Sequence, residues 1–429
     1  MELYNKFLEC GVITTDSRDC PKGSMFFALK GESFDGNMYA ASALEKGCAY
    51  AVVDDPKVAI DSRFIVVDNV LKALQDMAAE HRKALGTTIV GITGTNGKTT
   101  TKELVSAVLS KKGNVLYTQG NFNNHIGVPK TLLQITPQHK MAVVEMGANH
   151  PGEIKTLVDI VCPNYGLITN VGRAHLEGFG SFEGVKRTKG ELYDFLRDNG
   201  GMAFLFSDSE DLTSMAAERG LKTIGYGLSK KDTNYVSGQI IKDGTPFLSA
   251  KVECFDEEIE IHTKLIGDYN ISNLLSAVCV GRFFDVPMRD IKDALEAYTP
   301  SNNRSQLVKT KSNTLIVDAY NANPTSMTAA IKNFINLDAE HKCAILGDMG
   351  ELGADSEAEH QNIVSLLQSA GFEQIILVGK RFAAADHTFL NFDNVDTLKE
   401  FIEKEPITGK TILIKGSNSM KMFTLPEIL

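Results

Sequence analysis

Residues 90–100 read VGITGTNGKTT, an apolar run that breaks into glycines and a lysine and then gives way to the helical pattern TTKELVSAVLS. A loop of this kind needs a buried strand behind it and a helix amino terminus ahead of it, so that backbone N–H groups converge on an anion. That requirement points to an α/β layer architecture with a mostly parallel sheet. Gly94 and Gly97 allow the tight turn, Lys98 adds positive charge, and Thr99 offers a hydroxyl to Mg2+; Thr95, Asn96 and Thr100 complete the loop. The general G-x-x-x-x-G-K-[ST] form fails by one residue, because position 92 is isoleucine and Gly91 lies one step too early. A strand before and a helix after favour a phosphate loop over a chance glycine turn.

At 429 residues the chain exceeds what a single hydrophobic core supports, and three blocks separate along it. Residues 1–86 hold the strand candidates SMFFAL, YAVV and FIVV and a helix that ends at Gly86; Phe26 and Phe27, inside the first strand, read as core. Residues 87–298 open with TTIVGIT and continue through MAVVEMG, YGLITNV and GMAFLF to alternating residues near FLSAKVECFDEEIEIHTKL, which predict antiparallel strands. The turn AYTPSNNR leads into residues 299–429, where NTLIVDAY, KCAILGD, QIILVG and TILIKGS alternate with helices. Each of these last strands ends in polar or glycine residues, where ligands gather in open α/β sheets.

Charge narrows the partners. Lys and Arg total 44 against 54 for Asp and Glu, a net charge of -10, which argues against a protein that works by neutralising nucleic-acid phosphates. Seven scattered cysteines form no metal-ligand spacing, and reduced thiols in a cytoplasm are the simplest account. No apolar run approaches the roughly 20 residues that span a bilayer, so a cytoplasmic protein is expected.

Glu145 ends the run MAVVE, and a carboxylate at a strand end beside a phosphate loop suits Mg2+; a solvent-facing glutamate is the alternative. His175, in TNVGRAHLEGFG, is a second candidate ligand or an ordinary hydrogen-bonding loop histidine.

Taken together, GITGTNGKTT, GNFNNHIGVPKTLL, EMGANHPGEI, TNVGRAHLEGFGSFEGVKRTKGEL and DAYNANPTS resemble the Mur ligase family of peptidoglycan synthesis. The similarity runs from TTDSRDCPKGSMFFALKGESFDGN to ILIKGSNSM and so covers all three blocks. The family uses a shorter G-T-x-G-K-T loop, which accounts for the mismatch above. The resemblance implies an ATP-dependent amide ligase: ATP phosphorylates a carboxylate, and an amine then displaces phosphate. NFNNHIGVP and DAYNANPTS are similar to the branch that joins D-alanyl-D-alanine to UDP-N-acetylmuramoyl-tripeptide, acting as a monomer. Residues 1–86 would bind the UDP substrate, 87–298 would bind ATP, and 299–429, a Rossmann-like domain, would close over ATP and receive the dipeptide.

The same resemblance implies roles for particular residues. Lys98, Thr99 and Glu145 would serve the phosphates and one Mg2+. His175 and a carbamylated Lys189 would hold a second Mg2+, because a free ammonium cannot ligate a cation whereas a carbamate oxygen can. From its mixed-charge surroundings alone, Lys189 reads as a solvated side chain. Asn270, Asn273, Asp318, Tyr320, Asn321 and Asn323 would contact adenosine and Arg304 the phosphates, with helix capping the alternative for Asn270 and a surface salt bridge for Arg304. Asn121, Asn123 and Asn124 would grip substrate or cap their own loop. Ser17 and Arg18 would donate to the UDP diphosphate or groups near it. Phe206, Tyr269 and Asn418 depart from the family pattern, which usually has Asn, His and Arg there. Outside this branch, the remaining readings are another amide ligase of the superfamily, adding an amino acid to a muramoyl peptide or glutamate to folate, or a non-catalytic ATP-binding switch.

Overall fold

Apolar runs bounded by glycine and polar residues pair into three separate sheets. The computed structural model describes residues 2–228, 231, 233–242, 246–301 and 303–429; residue 302 of the AYTPSNNR turn falls outside them. In the first sheet β1 (Ile13–Thr14), β2 (Met25–Phe27), β3 (Tyr50–Val53) and β4 (Phe64–Val66) lie parallel in chain order. Phe26 and Phe27 are buried in it, as their apolar setting implied.

The second sheet holds β5 (Thr88–Thr93), β6 (Val115–Tyr117), β7 (Met141–Glu145), β8 (Tyr165–Ile168), β9 (Met202–Phe206), β10 (Thr223–Gly227), β11 (Asn234–Ile241), β12 (Phe247–Cys254) and β13 (Glu257–Ile266). Their order is β13-β12-β11-β10-β9-β8-β5-β7-β6, parallel from β6 to β11 and antiparallel across the last two pairings. The chain visits β6 at the edge, returns to β7 beside β5, and then crosses to β8 on the other side of β5. Where the winding reverses in this way, the carboxyl ends of the strands open a crevice. Glu145 ends β7 in register with Ile92 of β5, so the carboxylate arrives at the mouth of the glycine loop.

The third sheet orders β14 (Gln306–Lys309), β15 (Thr314–Asp318), β19 (Thr411–Lys415), β16 (Lys342–Gly347), β17 (Gln374–Val378) and β18 (Leu390–Phe392), parallel except at the β14–β15 edge. The protein is thus a three-sheet α/β molecule with mostly parallel strands. No helix among the described residues is long and apolar enough to cross a membrane.

One helix fastens the first sheet to the second. Helix Val70–Leu85 starts where the Asn69 side chain accepts from the Lys72 N–H, and ends at Gly86, whose φ of 63° suits a residue without a Cβ. Leu74, Met77 and Ala78 are buried in the same hydrophobic cluster as Phe7 and Met25 of the first block and Leu132 and Leu157 of the second. Arg82, on the same helix, is buried: Nε donates to the Val161 carbonyl at 3.1 Å, and Nη2 donates to the Cys162 carbonyl at 3.1 Å and to Asn164 Oδ1 at 2.9 Å. His81 Nε2 lies 2.8 Å from the Ile135 carbonyl.

Removing the guanidinium takes this donor from the Val161 and Cys162 carbonyls, while Asn164 Oδ1 keeps the Ile89 N–H at 2.9 Å. Arg82→Ala is expected to lower unfolding stability by about 3 kcal/mol, and an unchanged urea midpoint would show that the helix is held by its apolar face alone.

Candidate active site

The loop between β5 and helix Lys98–Leu109 is shaped by two glycines. Gly94 has φ 139°, and a Cβ there would lie 2.0 Å from Thr169 Oγ1; Gly97 has φ 77°, and a Cβ there would lie 2.7 Å from Asn273 Oδ1. The end of β8 props the loop. Thr169 Oγ1 donates to the Asn96 carbonyl at 2.6 Å, the Asn96 N–H donates to Asn170 Oδ1 at 3.0 Å, and Asn170 Nδ2 donates back to the Asn96 carbonyl at 3.0 Å. Lys98 Nζ donates to the Gly94 and Thr95 carbonyls at 2.7 and 2.9 Å, inside the curve of the loop. Burial, reinforced by the Arg304 charge, lowers its pKa to about 8, against the opposing pull of Glu145.

Glu145 is buried rather than solvent-facing. Thr99 Oγ1 donates to its Oε2 at 2.9 Å, and Asn123 Nδ2 donates to its Oε1 at 2.8 Å. Its backbone N–H donates to Thr118 Oγ1 at 3.0 Å, and the Thr118 carbonyl accepts from the buried Lys102 at 2.6 Å. A hydroxyl and a carboxylate in contact at the phosphate-loop mouth form a hard-oxygen pair that fits Mg2+, which takes few protein ligands when phosphates supply the rest.

Lys189 is 2% exposed on helix Phe182–Asp198, against the solvated reading. Burial first, and then the Lys98 charge, lowers its pKa to about 7, so a large share is neutral amine near neutral pH. Its Nζ lies 3.4 Å from the Ala148 carbonyl and 5.3 Å from the centre of the Phe179 ring, a ring that His175 also meets edge-on. His175 Nδ1 pairs with Glu351, and that contact holds the glutamate below the usual carboxylate range. The described residues gather no group of three or more His, Cys, Asp or Glu side chains able to hold a metal. With Glu351 already paired to His175, an anionic Lys189 would add a further oxygen ligand for a second cation there.

Beyond the loop, Asn273 Oδ1 accepts from Thr101 at 3.1 Å, and Asn273 Nδ2 donates to Asn270 Oδ1 at 2.9 Å. The Asn270 side chain caps no helix; its amide donates to the Ile266 carbonyl at 2.9 Å. Asn124 does act as a loop cap, accepting from the Ile126 and Gly127 N–H groups at 3.1 and 2.8 Å. Asn121 lines the cavity. Arg304 forms no ion pair among the described residues; its guanidinium stacks 3.6 Å from the centre of the Tyr320 ring. Asn323 caps its helix through Ser326 and donates to Asn96 Oδ1 at 2.8 Å, joining the third block to the phosphate loop. Asn321 Oδ1 accepts from the Ala322 N–H, and Asp318 Oδ2 accepts from Lys415 at 2.6 Å.

These residues surround one cavity of about 760 Å³, reached by Gln75 from the first block, by residues 95–100, 121 and 123–125 from the second, and by Arg304, Tyr320, Asn323 and Lys415 from the third. Ser17 and Arg18 are not among its walls. Arg18 folds back on Asp16 through bonds of 2.9 and 2.8 Å, and the Ser17 carbonyl accepts from Lys46. Tyr269 does line the cavity and meets Ser305 Oγ at 2.8 Å, whereas Phe206 packs on Tyr226 away from it. Asn418 Nδ2 reaches the Tyr320 carbonyl at 3.3 Å.

Sequence reasoning missed Lys102, Thr118, Thr169, Asn170, Glu351 and Lys415. A signal existed for three of them. Thr169 and Asn170 follow an apolar strand directly, and Lys102 falls on the buried stripe of Thr101, Val105, Val108 and Leu109.

Comparison with known proteins gives this arrangement its class. Residues 10–82 match the model described as Mur ligase family, catalytic domain, residues 92–281 the Mur ligase middle domain, and residues 303–418 the Mur ligase, glutamate ligase domain. The chain belongs to the Mur ligase family, as its motifs implied, and is a ligase. Within the family it is similar to the UDP-N-acetylmuramoyl-tripeptide–D-alanyl-D-alanine ligase of Escherichia coli (strain K12), at 34% identity over 98% of this chain and 94% of that protein. The crystal structure of MurF from Acinetobacter baumannii matches with a TM-score of 0.86 at 31% identity, covering 97% of this chain and 92% of that one. MurF from Thermotoga maritima in complex with ADP also gives 0.86, at 25% identity, over 98% and 97%.

Gly94→Ala places a methyl group against Thr169 in a backbone conformation that side chains avoid. ATP affinity measured by calorimetry is expected to fall about tenfold to a hundredfold, from roughly 1–3 kcal/mol of strain. An affinity equal to wild type would contradict the tight loop.

Proposed function

We propose that this chain joins D-alanyl-D-alanine to the terminal carboxyl group of UDP-N-acetylmuramoyl-tripeptide, with ATP as energy source, in peptidoglycan precursor synthesis. The observation that carries the reading is the single cavity walled by all three blocks, with the phosphate loop at its centre. Three substrates must meet in one space, and all three blocks reach this cavity, the first through Gln75. The full-length similarity to ligases of that name supports the choice of substrates. Residues 1–86 take the UDP substrate, 87–298 take ATP, and 299–429 close over ATP and receive the dipeptide. We place the enzyme in the cytoplasm as a monomer.

The reaction proceeds in two displacements. A carboxylate oxygen of the tripeptide attacks the γ-phosphorus while the bond from that phosphorus to the ADP oxygen breaks. The dipeptide amine nitrogen then adds to the acyl carbon, the carbon–oxygen bond to phosphate breaks, and the nitrogen gives up a proton. Both partners of the first step are anions, so the wall has to supply positive charge before it can supply anything else. Lys98 and Arg304 provide it on the ATP side. Thr99 and Glu145 hold Mg2+, which when bound neutralises phosphate oxygens. Asn270, Asn273, Tyr320, Asn321 and Asn323 shape the nucleotide pocket, and Asn121 and Asn123 face the substrate.

The Lys189 amine adds CO2 and releases a proton to become a carbamate, which with His175 would hold a second Mg2+. Its burial supports this, because CO2 adds only to neutral amine and a lysine in water at neutral pH is almost wholly protonated.

Purified protein given ATP, Mg2+, D-alanyl-D-alanine and each UDP-tripeptide in turn is expected to yield a product with the mass of the pentapeptide. Turnover with single amino acids or with folate and glutamate, but not with the dipeptide, would overturn the substrate assignment. Lys189→Ala is expected to lose roughly a hundredfold in activity, and added bicarbonate should not restore it; turnover like wild type removes Lys189 from the site. In 13C spectra of protein equilibrated with labelled bicarbonate, a Lys189-dependent carbamate signal should be strong at pH 8 and lost near pH 6. The sign follows from a pKa of about 7, below which the amine is charged and cannot add CO2. A signal indifferent to pH or to Lys189 contradicts the modification.

A further inference from the structure

Lys415 ends β19, the strand inserted between β15 and β16, in register with Asp318 on one side and Leu346 on the other. It is 2% exposed, yet it borders the cavity. Its ammonium donates to Asp318 Oδ2 at 2.6 Å, to the Asn321 carbonyl at 3.2 Å and to the Asp318 carbonyl at 3.4 Å. A lysine has three N–H bonds to give, and all three are spent on the one loop that follows β15.

What those bonds hold is more telling than the ion pair. Asp318 Oδ1 accepts from the Ser305 N–H at 3.3 Å, and Ser305 follows Arg304, the cation stacked on Tyr320. Asn303 and Ser305 both have positive φ, 56° and 47°, an uncommon conformation for these residues that neighbours must hold in place. On the other side, Asn321 leads to Asn323, which reaches Asn96 of the phosphate loop at 2.8 Å. One buried ammonium therefore fixes both segments through which the third block meets the nucleotide site. Buried ion pairs are weak stabilisers compared with apolar packing of equal volume. A lysine held here, at a cavity wall, acts on geometry more than on stability.

We propose that Lys415 is a positioning residue for ATP: through Asp318 and Asn321 it sets Arg304, Tyr320 and Asn323 in place, without touching the reacting atoms. The inference rests on the ligase reading above for the identity of the nucleotide.

The test uses the full-length chain and reads ATP binding by calorimetry alongside steady-state kinetics. Lys415→Met is expected to weaken ATP binding at least tenfold and to raise the KM for ATP in proportion. The KM for UDP-tripeptide should stay within twofold. Because Lys415→Met leaves the partly buried Asp318 carboxylate unpaired, the double variant Asp318→Asn with Lys415→Met removes both charges and is expected to fold while showing the same loss. Lys415→Arg, which keeps charge and donors, should recover part of the affinity. Wild-type ATP affinity in folded Lys415→Met or in the double variant overturns the proposal, as does a KM for tripeptide that rises equally. If none of the three variants folds, Lys415 is a core residue and the proposal fails. A wild type that binds no ATP sinks the ligase reading, and this inference with it.

Discussion

Glu145 is held from three sides: Thr99 at one oxygen, Asn123 at the other, and Thr118 at its backbone N–H. The proposed chemistry depends on this carboxylate, because a peptide carboxylate and a triphosphate repel, and cationic charge must be fixed between them before either can react. A mobile acid would spend reaction binding energy on being ordered. Here the sheet register delivers it to the loop mouth, and the buried Lys102 braces the residue that braces it. Lys98 completes the arrangement from the loop after the neighbouring strand β5, its charged form disfavoured by burial and by Arg304 and favoured by Glu145.

The first two blocks share one hydrophobic cluster, and specific polar contacts add to it and join the second block to the third beside the site. Arg82 bonds the first block to carbonyls of the second. Asn96 and Asn323, His175 and Glu351, and Arg173 and Glu359 at 3.6 Å join the second to the third. Contacts of this kind are individually modest and separable. They suit the proposed closure of the third block over the substrates.

Much of the fold was legible because parallel sheets covered by helices on both faces write themselves as unbroken apolar runs. TTIVGIT, MAVVE, NTLIVD and TILIK each became a buried strand. Ile13–Thr14 and Val115–Tyr117 were not, since two or three residues carry no period to read. At the site, the glycine loop, Thr99 and Glu145 stood out by type and spacing. Lys189 did not, although Val185, Lys189, Leu192 and Leu196 recur at helical spacing and put it on the buried stripe; a charged residue on an apolar face is a signal that composition hides. Lys415 was hidden for a different reason. Its partners Asp318 and Asn321 become neighbours only when β19 inserts beside β15, and strand order is not written in local sequence.

The central claim is that ATP activates the substrate's own carboxylate. The most direct measurement supplies UDP-tripeptide labelled with 18O in its terminal carboxyl group, with ATP and D-alanyl-D-alanine, and determines the mass of the phosphate released. An acyl phosphate route carries one labelled oxygen into each phosphate for every amide formed. Unlabelled phosphate accompanying amide formation would contradict it.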